Sequence, residues 1–307
     1  MMSSTNSGNT VMRLENNRRY FAVRFHIIRR TNGTGGFDPN LIPQILHFMN
    51  AAYNQTNVEF YNCPDIDFIN NDQIFTYERA RDENILRQRL DDNAINIYYG
   101  LVNPLTEGYC GYAFYPWLNN SNFIFINADP GCSHNQSVVV HELGHFFGIV
   151  HTHDGGNELV NGTNCATAGD RYCDTPADPN MFRNDNYHVD AACNYIGAFR
   201  DSNNQSYSPD TRNFMSYSTV ECRNRFSGQQ LNAIWNWANS AARYDLSLVH
   251  ELTNQNINAT TLTLNTRNIA DINNVRIING GSLIIDVCGS TDIENFECEI
   301  GSQLDIK

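Results

Sequence analysis

The first half of the chain alternates between two apolar periods. Residues 20–28 (YFAVRFHII) alternate partly and are rich in β-formers, which predicts a strand. Asp38-Pro39 then has the form of an N-cap followed by proline at the first helical position. Leu41, Ile45, Phe48, Met49 and Ala52 follow at helical spacing and predict an amphipathic helix of about four turns. Residues 58–61, 95–99 and 123–126 predict further short strands, with a helix near 82–90 between two of them. The pattern predicts an α+β fold in which a small mixed sheet is backed by a helix.

Between residues 155 and 220 periodicity vanishes, and glycine, asparagine, aspartate, proline and cysteine take over. A structureless stretch of that length inside a compact domain needs function or cross-links to hold it. Ser227 then opens SGQQLNAIWNWANSAARY, where Gln230 completes a capping box and Leu231, Ile234, Trp235 and Ala238 share one face. That helix closes a main domain expected over residues 19–245, after a loose polar tail over 1–18. Residues 246–307 change character: TTLTL, VRIING and SLIIDVCG alternate apolar and polar positions between Gly-Gly and Asn-rich turns, predicting a small β-rich module.

Composition narrows the function. With 307 residues, 41% of them hydrophobic, the chain can bury a sizeable core. Its 20 basic against 33 acidic residues leave a net charge of −13, which repels phosphate backbones and argues against nucleic-acid partners. No apolar run approaches the roughly 18 residues of a membrane span. None of the nine cysteines forms a CxxC pair, so disulfides in an oxidising compartment are their expected use, with an odd thiol left over. The first 20 residues lack the apolar core of a signal peptide; a secreted protein whose signal has been removed is the expectation.

The chemistry concentrates in residues 141–151, HELGHFFGIVH. A helix through this segment puts His141 and His145, four residues apart, on one face where both imidazoles reach one ion. A continuous helix would carry His151 about 15 Å along the axis, out of reach, so the chain must turn, and Gly148 permits the left-handed break. Three neutral imidazoles leave the fourth position of a tetrahedral Zn2+ open for water, the mark of a catalytic rather than structural site. Glu142, directly after a ligand, points near the metal without binding it and can take the water's proton. Helices with incidental histidines meet such a pattern on the order of once in ten million positions.

An extended motif of this kind followed by a methionine turn marks the metzincin metallopeptidases. Met215, in NFMSYS (213–218), supplies that turn. HELGHFFGIVHTH, GDRYCDTP (169–176), NFMSYS and CRNRFSGQQL (222–231) together resemble the pappalysin family of metzincins, especially its smaller bacterial branch. FAVRFHIIRR and AAYNQTNVEF resemble the family's opening strand and helix, so the likeness covers about residues 20–245.

The resemblance implies a metzincin-like two-subdomain zinc peptidase. His141, His145 and His151 would be the zinc ligands, Glu142 the general base, Met215 the Met-turn and Tyr217 a donor to the oxyanion. Asp170, Asp174 and Thr175 fall where similar enzymes hold structural Ca2+, and His153 and Asp154 follow the third ligand closely. The family's spacing favours Cys165 with Cys193 and Cys173 with Cys222; Cys288 and Cys298 could staple the C-terminal module. One departure stands out: some members read a basic residue just after the scissile bond through an acid soon after the Met-turn, where this chain has Arg223 and Arg225. The overall acidic charge still attracts basic substrates at long range, so the cleavage preference stays open.

A secreted zinc endopeptidase acting on an extended polypeptide laid along a sheet edge is therefore the leading expectation. An adhesion or binding protein, with the zinc domain as scaffold and the C-terminal β module carrying function, is the alternative. The intact Glu142 argues against it. A zinc hydrolase of non-peptide amides is a third reading, disfavoured by Met215 and Tyr217 together.

Overall fold

The computed structural model describes residues 18–63, 65–118, 122–247, 250–266, 270–287 and 291–306. The expected tail lies outside these except for Arg18, which pairs with Glu59 at 2.6 Å. In chain order the first elements are β1 (Arg19–Arg29), α1 (Ile42–Tyr53), β2 (Val58–Asn62), β3 (Asp67–Asn70), α2 (Asp72–Phe75), β4 (Thr76–Tyr77), α3 (Arg79–Arg87), β5 (Ile95–Val102), β6 (Gly111–Ala113) and β7 (Phe123–Asn127). They build one sheet of order β2-β1-β5-β7-β6, with β3 also on β1 and β4 on β5. Every pairing is parallel except β6 on β7, which places a short antiparallel strand at the edge.

The sheet is buried on both faces. Phe21, Val23, Phe25 and Ile27 of β1 point to one core, while Tyr98, Phe123 and Phe125 point to another beneath α3. The first core is closed by α1 through Ile42, Ile45, Met49 and Tyr53; of the five positions expected on this face, Ile45 and Met49 are buried, and Leu41, Phe48 and Ala52 pack half-buried at its border. It is also closed by α5 (Ser137–Phe146), which follows the short α4 (Pro130–Ser133), and by α6 (Gly228–Ala238). Three successive valines make α5 a poor helix by intrinsic preference. It stands because all ten of its residues are buried, and Tyr53 donates to the Val140 carbonyl across the core at 3.0 Å. Ser227 caps α6 with the reciprocal Gln230 bond that SGQQ encodes.

The irregular stretch contains only the hairpin β8 (Phe182–Arg183) and β9 (Asn186–Tyr187) as regular structure. Disulfides do hold it, but with a connectivity that differs from the expected one. Cys165 joins Cys173 and Cys193 joins Cys222. The reason is local: turns from Leu159 to Thr175 fold the chain back so that Cys165 and Cys173, eight residues apart, come within 5.0 Å at Cα. Cys193, in a left-handed turn after Asp190, packs with Met181 onto Cys222. A third bridge, Cys110–Cys132, ties the approach to β6 onto α4.

The C-terminal strands β10 (His250–Asn258), β11 (Thr261–Thr266), β12 (Ala270–Ile278), β13 (Ser282–Val287), β14 (Thr291–Cys298) and β15 (Gln303–Ile306) do not pair as hairpins. They form two parallel three-stranded sheets, β10-β12-β14 and β11-β13-β15. Partners are displaced by one coil: His250 faces Ala270, Ala270 faces Thr291, and Thr261, Ser282 and Gln303 stack in turn. Left-handed Asn254, Asn274 and Asn295 interrupt equivalent strands, and Asn274 donates to Asn254 at 2.6 Å. Ile257, Ile272, Val275, Ile277, Leu283 and Ile285 fill a core between the two sheets. Cys298 is exposed and free, so it staples nothing here; Cys288 lies outside the described residues.

Candidate metal centre

At the end of α5 the chain turns as Gly148 requires. Gly148 has φ +77°, and its N–H bonds the His145 carbonyl while Ile149 N bonds that of Gly144. A side chain at 148 would meet the Trp237 ring of α6 as well as strain the backbone. The turn returns Ile149 O to accept from His145 Nδ1 at 2.7 Å and delivers His151 to the other two imidazoles. His145 Nε2 lies 3.1 Å from His141 Nε2 and 3.0 Å from His151 Nε2.

Beneath them the Asn213–Ser216 turn is wholly buried. Asn213 Oδ1 accepts from Met215 N at 2.8 Å, and Thr152 N bonds the Met215 carbonyl at 3.1 Å. Met215 packs onto Gly144, where any Cβ would strike its sulfur, so the glycine inside the histidine motif makes room for the methionine. The same turn directs the Phe214 carbonyl at His141 Nδ1, 2.6 Å away.

These bonds settle the tautomers. A carbonyl can only accept, so Nδ1 of His141 and of His145 each carries the proton, leaving Nε2 a bare lone pair. The His141–His145 contact therefore cannot be a hydrogen bond, and with His151 Nδ1 turned to the Asp154 carboxylate, an acceptor, the three Nε2 lone pairs face one another around a common point, an arrangement a cation resolves. Burial lowers both histidines, His145 to about 3, which keeps them in the neutral, ligating form. His151 leans on Asp154, whose carboxylate lies 3.3 Å from its Nδ1. His153 stacks on His151, and burial lowers it to about 4.

Glu142 is buried beside this point with Oε2 lacking any partner. Burial raises its carboxyl to about 8 against the pull of the Arg223 charge. Gly111 lets the edge strand lie on it: a Cβ there would come within 2.9 Å of Glu142 Cγ and Oε1. Tyr217 places its ring 4.5 Å from those of His151 and His153. Gly111, Glu142, Tyr217 and the three clustered imidazoles open into a cleft of about 440 Å3, whose walls also include Tyr115, Tyr187 and Arg223.

Of the three residues expected at a calcium site, Asp170 and Thr175 meet at 2.8 Å, while Asp174 is engaged at the start of α6. Asp174 accepts from Ser227 Oγ and Gln229 N at the start of α6, and Asp170 from Tyr172 N and Thr175 Oγ1. Among the described residues, the groups of three acidic, histidine or cysteine side chains able to hold an ion lie at the imidazole cluster and its His153–Asp154 edge. Sequence reasoning missed Tyr115, the Phe214 carbonyl and the role of Gly111. Only the glycine leaves a readable signal, as a small residue on a strand edge.

The family profile for peptidase M43, described as pregnancy-associated plasma protein-A, matches residues 79–238, just over half of the chain. The chain belongs to this family. It is thus a pappalysin, a metallopeptidase whose catalytic zinc the convergent lone pairs fit. This pappalysin is 26% identical over 235 residues to an extracellular metalloprotease of Colletotrichum graminicola, covering 70% of this chain and 74% of that protein. It is 28% identical over 231 residues to an extracellular metalloprotease of Verticillium alfalfae, covering 70% and 76%. Its fold matches mature mirolysin of Tannerella forsythia in complex with a cleaved peptide, at TM-score 0.52 and 13% identity, over 76% of this chain and 97% of that one. Mirolysin in complex with compound 9 matches at TM-score 0.54 and 15% identity, over the same shares. The metzincin-like mixed α/β architecture is therefore shared.

Proposed function

We propose that residues 19–245 form an extracellular zinc endopeptidase unit in which His141, His145 and His151 hold the metal, and that residues 246–307 form a separate module. The observation that carries this reading is the convergence of three lone pairs with tautomers locked from behind, next to a buried carboxylate with a free oxygen. Zinc, when bound, supplies a Lewis acid and lowers the pKa of water at the site towards about 7.

The chain's own groups do the rest. Glu142 Oε2 takes the proton of the attacking water and returns it to the leaving nitrogen; its raised pKa suits both tasks. Tyr217 donates its hydroxyl to the oxygen on which negative charge develops. The polypeptide lies as an added strand on the free edge of β6, so its backbone is held by main-chain bonds rather than by its sequence. The Phe214 carbonyl keeps His141 from rotating as charge shifts.

The test is cleavage-site mapping by mass spectrometry on a peptide library, beside metal analysis. Zinc bound at one equivalent and cuts that vanish both in Glu142→Ala and after chelation support the reading. Zinc without any cleavage shifts the function to the binding-protein alternative and its C-terminal module.

A further inference from the structure

Two arginines follow the Asn213–Ser216 turn, and their surroundings differ. Arg225 is exposed and neutralised: Nε and Nη2 reach both oxygens of Asp210 at 3.0 and 2.8 Å. Arg223 is buried in the wall of the cleft, and among the described residues no carboxylate comes within ion-pairing distance of it. Its Nε has no hydrogen-bond partner. Its Nη1 lies 3.2 Å from His141 Nδ1, but that nitrogen already spends its proton on the Phe214 carbonyl and offers no lone pair. A buried guanidinium whose Nε has no acceptor and whose charge no carboxylate answers is costly, and such a charge is tolerated where a partner arrives from outside.

The geometry also says which part of a substrate meets it. β6 begins at Gly111, against Glu142, and the chain continues to Tyr115, whose ring is 5.3 Å from that of His145. A peptide added antiparallel to β6 runs the other way, entering past Tyr115 and His145 and leaving past Glu142. Arg223 stands at the leaving end, near His141 and acting on the charge of Glu142. Tyr187, on the β8–β9 hairpin, and Val138, one turn before His141, complete the pocket around it.

We infer that Arg223 is a specificity-determining residue, whose guanidinium receives the side-chain carboxylate of the residue immediately following the scissile bond. This rests on the peptidase reading above and names its substrate class: chains with Asp or Glu at that position. The local charge thus opposes the long-range preference of a surface carrying −13, which favours basic peptides at encounter. A bidentate, desolvated pair with Arg223 dominates at contact.

The experiment compares peptides that differ only in Glu against Gln after the cut. The zinc-loaded wild type is expected to cleave the Glu peptide with kcat/KM about 10- to 100-fold higher. The Glu142→Ala protein is expected to bind the Glu peptide tighter by a similar factor in fluorescence anisotropy. In Arg223→Met both ratios fall to about one, whereas Arg223→Lys keeps part of the preference. If Arg223 served only to steady His141 or Glu142, its replacement would slow both peptides equally and leave the ratio intact. Cleavage lost on chelation yet indifferent to Glu or Gln overturns this inference alone. Absence of cleavage of any peptide overturns the peptidase reading and this inference with it.

Discussion

The carbonyl oxygen of Phe214 accepts a hydrogen bond from His141 Nδ1 at 2.6 Å, across 73 residues of sequence. One backbone atom in a buried turn thereby chooses which nitrogen of the first imidazole faces the metal. The turn is held in place by Asn213, fully buried, which accepts from Met215 N and donates to Gln230 Oε1 at 2.9 Å. Replacing Asn213 with Ala leaves the Met215 N–H and the Gln230 amide without these partners. We expect a destabilisation of about 1–3 kcal/mol and a 10- to 100-fold loss of zinc affinity, read by thermal melts and by competition with a chelator.

The Tyr217 ring packs on those of His141, His151 and His153, and among the described residues no group hydrogen-bonds its hydroxyl. Tyr217→Phe is expected to lower kcat about 100-fold or more, with KM and bound zinc little changed. Unchanged kcat on a good peptide would remove Tyr217 from the mechanism and leave it as a wall of the cleft.

Gly148→Ala should cost stability twice over, through the positive φ and through Trp237. About 1–3 kcal/mol is expected from the strain and repacking together. Because the turn it forms also carries His151, zinc release should accelerate in the same variant. A melt unchanged from wild type would show that the turn tolerates a side chain.

Asp67, the first residue of β3, sits outside the cleft between His26 of β1 and Arg89 just past α3, and couples stability to pH. Burial alone would push its carboxyl up, but hydrogen bonds from His26 at 2.8 Å and Arg89 at 2.9 Å, with their charges, hold it well below the usual range. A depressed folded pKa contributes stability above the unfolded value, about 3.9, and loses it as the pH falls below that. Asp67→Asn should therefore lower stability by about 1 kcal/mol at pH 7, and the gap should close on acidification below about pH 4. Melts of metal-free protein across pH separate this from proton-driven zinc release.

Mapping disulfides by proteolysis under non-reducing conditions should return Cys165–Cys173, Cys193–Cys222 and Cys110–Cys132. Native protein should take up a thiol reagent at Cys298, which lies exposed on β14. A Cys165–Cys193 peptide would overturn the local loop closure argued above.

The sequence by itself determined whatever depends on short separations. A four-residue spacing puts His141 and His145 on one helical face, Gly148 is the residue at which a helix can turn, and SGQQ caps α6; each follows from backbone geometry within a few residues. The order of β1, α1, β2, α3, β5 and β7 was legible for the same reason, whereas the short β3, α2, β4 and the edge strand β6 carry too few residues for a readable period. Only the tertiary structure decided what lies across the sheet or across a long loop. Disulfide partners depend on where an irregular chain folds back, and a loop without periodicity gives no sign of that until its turns are seen. The parallel coiling of β10–β15 was hidden because strand periodicity is the same whether a strand pairs with its neighbour or with one a full coil away. Whether Arg223 or Arg225 carries an unanswered charge turned on Asp210, an acid whose reach no spacing rule predicts. Long-range juxtaposition, and with it the electrostatics of the cleft, is set by packing.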